Sequence, residues 1–259
     1  MTGINIPGIH NYCDRWCEKC PFTSRCAAFE GDASTSAEER DFRNEAFWKR
    51  LSENFSKAKV VIEDMAAKHG IDVNALAHEA DQKLNEELVD KKADDHPVSK
   101  LTWEYSTIAT DWLKTQPGML DKLEKLKVEL TMGVESHEEA KIQAHTIKDS
   151  LAVIHWYATF IHVKFKRAIR GKIEFQQWDD DDDDVQRDYN GSAKIAIIAI
   201  ERSIQAWVEI FNLLPEQEDL FLKILGMLDK CKRLIIEEFP DALKFVRPGF
   251  DEISGMNVL

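Results

Sequence analysis

Residues 135–170 carry the pattern that most limits how this chain folds. Ala144, Ile147, Leu151, Ile154, Ala158, Ile161, Phe165 and Ala168 recur in steps of three and four, which keeps one face of a helix apolar. Trp156, Tyr157 and Phe160 lie off that stripe, so the middle of the helix is apolar nearly all round. A helix without a polar side has to be surrounded by others, which puts it at the centre of a bundle.

The rest of the chain offers those neighbours. Ser36, with Glu39 three residues later, has the form of a capping box. It opens a helical pattern through Phe42, Ala46, Leu51, Phe55, Ala58, Ile62 and Met65 that stops at Gly70. A polar helix over 73–92, an amphipathic one over 98–115 and a shorter one over 119–131 follow. The central helix is expected to stop at Gly171. A second apolar helix spans 192–212, with Ala196, Ile200, Ile204, Trp207 and Phe211 on one face, and Pro215 opens a last one over 220–239. No window alternates with period two, and 11 Gly with 7 Pro are too few for a many-stranded sandwich or barrel. The expected fold is all-α, a multi-helix bundle of about seven helices over 36–259. A small cysteine-rich, metal-binding head over 1–35 precedes it, and an acidic loop at 172–191 interrupts it.

Hydrophobic residues make up 44% of the chain and charged ones 31%, a balance that fills a core and solvates a surface. The formal net charge of -13 excludes a generally basic, nucleic-acid-coating surface. The N-terminus lacks the basic region and apolar stretch of a signal peptide, and the most apolar stretch, 151–163, is shorter than the roughly 20 residues that span a bilayer. A cytoplasmic protein without a membrane segment is expected. Clustered cysteines in such a reducing compartment are metal ligands or redox groups before they are disulfides.

Four of the five cysteines, Cys13, Cys17, Cys20 and Cys26, fall within fourteen residues as C-x3-C-x2-C-x5-C. Thiolates that close can wrap one compact centre, and Tyr12, Trp16 and Phe22 are placed to shield it from water. Structural zinc accepts four cysteines, but its common frameworks separate two C-x2-C hooks by a long spacer. A [4Fe-4S] cluster takes several ligands from one short loop, and Cys20-Pro21 has the form that ends ferredoxin motifs. The cluster is the expectation and Zn2+ the alternative. Redox-active thiols are a third reading. Cys231, alone in an apolar helix, reads as a core residue.

Two local likenesses bear on this. Cys13 to Cys20 is similar to the C-x3-C-x2-C of radical S-adenosylmethionine enzymes, which implies a cluster with one open iron on a βα barrel. Here a fourth cysteine is close by and helices follow. Cys17 to Cys26 resembles the C-x2-C-x-aromatic-x3-C of the iron–sulfur staple in CRISPR-associated and recombination nucleases, which implies a cluster. The acidic-and-lysine nuclease signature has no counterpart in this chain.

Polar groups on the apolar helices are candidates for a pocket inside the bundle. His155 and His162 project about 20° apart on the central helix, and His145 and Asp149 about 40° apart. Glu104 and Asp111 share an edge of the 98–115 helix, and Glu201 with Arg202 interrupts the apolar run 195–204. Buried charges need partners or a metal, so these seven could surround a polar site of a helical enzyme. The Glu-x-x-His pairs of di-iron bundles are missing, as are nucleophile and phosphate-loop motifs. The plainer reading is that they make interhelical hydrogen bonds and ion pairs.

Six consecutive aspartates, Asp179 to Asp184, follow a basic helix end bearing Lys164, Lys166, Arg167, Arg170 and Lys172. Residues 173–190 hold eight acidic groups against one Arg, a charge of -7, which leaves -6 of the total -13 to the rest of the chain. The bland account is a solvated acidic loop and cations opposing a helix dipole. The functional one is a basic patch that binds an anion and is covered by the acidic loop. The function expected is a metal-binding protein with a structural, redox-sensing or electron-transfer role. A helical enzyme with a polar or metal pocket inside the bundle is one alternative, and a zinc-stabilised module for a protein partner is another.

Overall fold

The computed structural model describes residues 4–70, 80–133, 136–176 and 184–251. Among them the chain is all-helical, with nine α-helices, several short 3-10 turns and no strand. The helices are α1 (Ala27–Ala33), α2 (Ala37–Arg40), α3 (Glu45–His69), α4 (Ala80–Asp95), α5 (Pro97–Thr115), α6 (Met119–Thr131), α7 (His137–Phe175), α8 (Asp188–Leu213) and α9 (Glu218–Glu238). The count exceeds the expected seven for two local reasons. Helix α1 starts directly after Cys26, so the cysteine segment is not all loop. The pattern opened by Ser36 is broken after one turn: the Ser36–Glu39 capping box forms, but Asp41 accepts from the Arg43 backbone N–H and guanidinium, and Asn44 caps a new helix at Ala46.

The chain divides into two compact units, Met1–His10 with Cys17–Leu88, and Asn11–Trp16 with Val89–Leu259. In the first, the Ile6 N–H donates to the Arg25 carbonyl and the Arg25 side chain to the Ile4 carbonyl. Helix α3 ends at Gly70, whose φ of 68° is the left-handed cap position that glycine fills without strain. Its apolar residues Trp48, Phe55, Ile62 and Met65 are all exposed within that unit.

The second unit is a four-helix bundle of α5, α7, α8 and α9, each packed on two others of the set. The predicted stripe of α7 faces inward: Ile154, Ile161, Phe165 and Ala168 are fully buried. Ala196, Ile200 and Trp207 of α8 and Phe221, Ile224, Leu228 and Ile235 of α9 complete the core. Inside it the Trp207 indole N–H donates to the Tyr105 hydroxyl at 3.1 Å, so neither polar group is stranded. No helix of the described residues is long and apolar enough to cross a membrane.

Two glycines sit inside helices where the sequence places breaks. Gly171 does not stop α7, which runs on to Phe175; a Cβ there would meet the Tyr189 Cβ at 3.4 Å and its Cα at 4.0 Å. Gly191 lies in the first turns of α8, where a Cβ would stand 2.5 Å from the Tyr12 ring and 2.7 Å from Phe245. Close approach, not a turn, explains that glycine. At the chain's far end, Lys194 and Arg247 both bond the Asp251 carboxylate at 2.8 Å.

Gly191→Ala should therefore destabilise the bundle by about 1–3 kcal/mol in urea unfolding, the usual cost of overpacking. Gly226→Ala, in α9 with open space around it, should stabilise by about 0.5–1 kcal/mol. Burial pushes the Asp251 carboxyl up, but hydrogen bonds from Arg247 and Lys194 outweigh it and hold it far below the usual carboxylate range. A depressed carboxylate stabilises above its unfolded value and loses that contribution as pH falls toward its folded value. The destabilisation caused by Asp251→Asn should thus be constant from about pH 5 to 8 and shrink below about pH 4.

Candidate metal centre

Residues 11–16 form a strap along the bundle, and every second side chain docks on it. The Tyr12 ring packs edge-on to Phe245 with centroids 4.6 Å apart, and its hydroxyl donates to Asp188 at 3.0 Å. Burial first, and the Asp188 charge second, push its phenol up to about 12. Asp14 makes the densest set of contacts. Its carboxylate accepts from the Tyr157 hydroxyl at 2.6 Å, from the Arg202 guanidinium, and from the Trp16 backbone N–H at 3.1 Å. Its carbonyl accepts from the Trp156 indole at 2.8 Å. Trp16 stacks on Trp156, with centroids 5.2 Å apart and planes 15° from parallel. Between these anchors Arg15 takes φ 59°, a left-handed conformation that costs a non-glycine residue about 1–2 kcal/mol. The flanking docked side chains hold it there.

Cys13 lies on this strap, half-buried between Tyr12 and Asp14. Burial pushes its thiol up, while the Arg15 backbone, Arg15 and Lys164 favour the thiolate. Cys17 opens a 3-10 turn, Cys17–Lys19, and accepts at its carbonyl from the Cys20 N–H at 3.2 Å. The Phe22 N–H points at the Cys20 sulfur at 3.4 Å. A backbone N–H aimed at a sulfur is the kind of contact that tunes iron–sulfur ligands. A second turn, Thr23–Arg25, leads to Cys26. All five cysteines are thiols, and the four clustered ones are half-buried. Among the described residues no three His, Cys, Asp or Glu side chains stand together as a metal-holding group. The donor chemistry of the cysteines fits a soft metal centre; closing four sulfurs around it would be part of binding.

The seven polar residues read as a pocket are placed differently. Glu104 pairs with Lys223 at 3.4 Å, Asp111 with Lys114 at 2.8 Å and Glu201 with Lys232 at 2.7 Å, all at the surface. His155 is exposed. Of the seven, His145 and Asp149 meet, at 3.3 Å on the outer face of α7. His162 is half-buried against the Trp103 ring. The Thr102 hydroxyl donates to the Ser99 carbonyl, and its oxygen lies in hydrogen-bond contact with His162 Nδ1 at 3.1 Å. Burial, the main influence, lowers the His162 pKa. A helix edge at 100° spacing says which residues share a side, not whether that side is covered.

The basic end of α7 is matched by carboxylates. Lys166 pairs with Asp94 at 2.6 Å, Arg167 with Asp188 at 2.7 Å and Lys172 with Glu238 at 2.7 Å. Arg170 bonds Asp90 and Glu174. Lys164 differs: it is buried, with its ammonium 5.4 Å above the Phe160 ring. Burial lowers its pKa. Of the acidic run, 179–183 lie outside the described residues.

Asp14, Tyr157, Arg202 and Asp188 form a polar neighbourhood around the strap that sequence reasoning passed over. Two signals for it were present: Tyr157 off the apolar stripe, and Arg202 breaking an apolar run. No protein-family model, curated protein or solved structure matches the chain. Cys231 is fully buried, and burial pushes its thiol up to about 12. Iodoacetamide at pH 8 should label the four clustered cysteines of the metal-free folded chain and reach Cys231 only on unfolding, as peptide mass mapping would show.

Proposed function

We propose that this chain is a metal protein in which Cys13, Cys17, Cys20 and Cys26 hold a [4Fe-4S] cluster. The observation that carries the reading is four reduced, half-buried thiols within fourteen residues, one already receiving a backbone N–H at its sulfur. Short intervals favour iron–sulfur over zinc, because zinc frameworks separate their paired hooks by a long spacer. Four protein ligands close the coordination sphere, which suits structural, redox-sensing or electron-transfer roles and leaves no iron open to substrate.

The chain's own residues prepare the site in three ways. The strap contacts set the position of Cys13. The Phe22 N–H stabilises charge on the Cys20 sulfur. Arg15 and Lys164 act on Cys13 with positive charge, which offsets part of the negative charge four thiolates bring together. A bound cluster would supply one-electron chemistry or a folding cross-link.

Anaerobic purification should give a brown protein with a broad absorbance near about 400 nm and about four irons per chain. Replacing the four cysteines with serine should remove both colour and iron. A colourless protein with one zinc per chain would overturn the cluster and establish a closed four-thiolate zinc site. Neither metal in the wild-type chain would end the metal reading altogether.

A further inference from the structure

Resting on that reading, we propose that Asp14 is a positioning residue for the metal centre, acting with Tyr157 and Arg202 as a latch that fixes ligand Cys13 to the helix bundle. Three independent groups converge on the Asp14 residue from two helices. Trp156 and Tyr157 reach it from consecutive positions of α7, at 2.8 and 2.6 Å, and Arg202 reaches it from α8. The Arg202 guanidinium also bonds the Tyr157 hydroxyl, so carboxylate, phenol and guanidinium form a closed triangle. Charge-assisted hydrogen bonds of this kind are the strong ones, and the Asp14 side chain is only 19% exposed.

Cys13 is the residue directly before this anchor and directly after Tyr12, which is seated in the notch left by Gly191. A residue pinned on both sides has little freedom in where its side chain projects. Trp16 extends the same fixation to the residue before Cys17 by stacking on Trp156. The left-handed Arg15 keeps the two anchors on one side of the strap. The bundle thereby presents the first thiol of the motif at a set position, and a metal that takes that thiol does not have to order the segment itself.

The test uses the full chain, reconstituted anaerobically with iron and sulfide, in wild-type, Asp14→Asn, Tyr157→Phe and Gln217→Ala forms. Iron release to a chelator is followed at a temperature where all forms remain folded by circular dichroism. Iodoacetamide labelling of Cys13 against Cys20 is measured in the metal-free chains. Asp14→Asn and Tyr157→Phe should release iron about 10- to 100-fold faster, the usual effect of losing an outer-shell partner. Both should also speed labelling of Cys13 relative to Cys20. Gln217→Ala, which removes the side-chain bonds to the Trp112 indole and the Pro117 carbonyl in the same bundle, should change neither. Wild-type release and labelling in both latch variants would overturn the proposal. Equal acceleration by Gln217→Ala would also overturn it, by showing a general loss of stability. Should Asp14→Asn fail to fold, Tyr157→Phe, which removes one hydroxyl, decides the matter. A wild-type chain that takes up no metal sinks the four-cysteine reading, and the labelling ratio then shows separately whether the latch restrains Cys13.

Discussion

The contact on which most else depends is the covering of helix α7. Its middle turns have apolar side chains on most sides, with His155, Thr159 and Val163 exposed along one edge, and α5 and α8 pack against it. The Trp156–Tyr157 edge is closed by the strap: Trp16 stacks on Trp156, and Asp14 satisfies both the indole N–H and the phenol hydroxyl. Without those six residues two aromatic side chains would be exposed together with two polar groups that need partners. Burial and hydrogen bonding here are one event, because the same residues supply the apolar cover and the acceptors.

That arrangement joins the fold to the site. The strap has a structural reason to lie where it does, independent of any metal, and Cys13 is carried with it. Cys13 is thus referenced to the core of the bundle through Asp14, Tyr157 and Arg202. The charges around the bundle follow the same economy of pairing. Lys166, Arg167, Arg170 and Lys172, which look like a basic patch in the sequence, each meet a carboxylate on α4, α7, α8 or α9. In the structure these four residues belong to ion pairs between and within helices. Exposed pairs of this kind add little stability each, and they fix register more than they bind the fold together.

The helix class and the inward stripe of α7 were legible because hydrophobic periodicity is a local property. Ile154, Ile161, Phe165 and Ala168 face the core as their spacing requires. Helix ends were less legible wherever glycine had two meanings. Gly70 is a left-handed cap, as a glycine after a periodic stretch suggests, while Gly171 and Gly191 sit inside helices, Gly171 beside the Tyr189 Cα and Cβ and Gly191 against the Tyr12 and Phe245 rings. Nothing near them in sequence distinguishes these cases, since Tyr12 and Gly191 are far apart along the chain. The supposed pocket failed to converge for a related reason. Glu104, Asp111 and Glu201 lie on apolar helices but at their outer edges, where lysines of adjacent turns or helices reach them.

By itself, the sequence determined an all-helical chain, a long helix with an inward apolar stripe, and a dense set of four cysteines. These follow from spacing and donor chemistry, which need no knowledge of distant neighbours. Only the tertiary structure decided that Asp14 and Trp16, residues between two cysteines, dock on α7 and α8, and that the basic residues of α7 are already matched. Partners separated by more than a hundred positions, such as Asp14 and Arg202, meet because burying α7 brings them together, and no local pattern encodes that meeting.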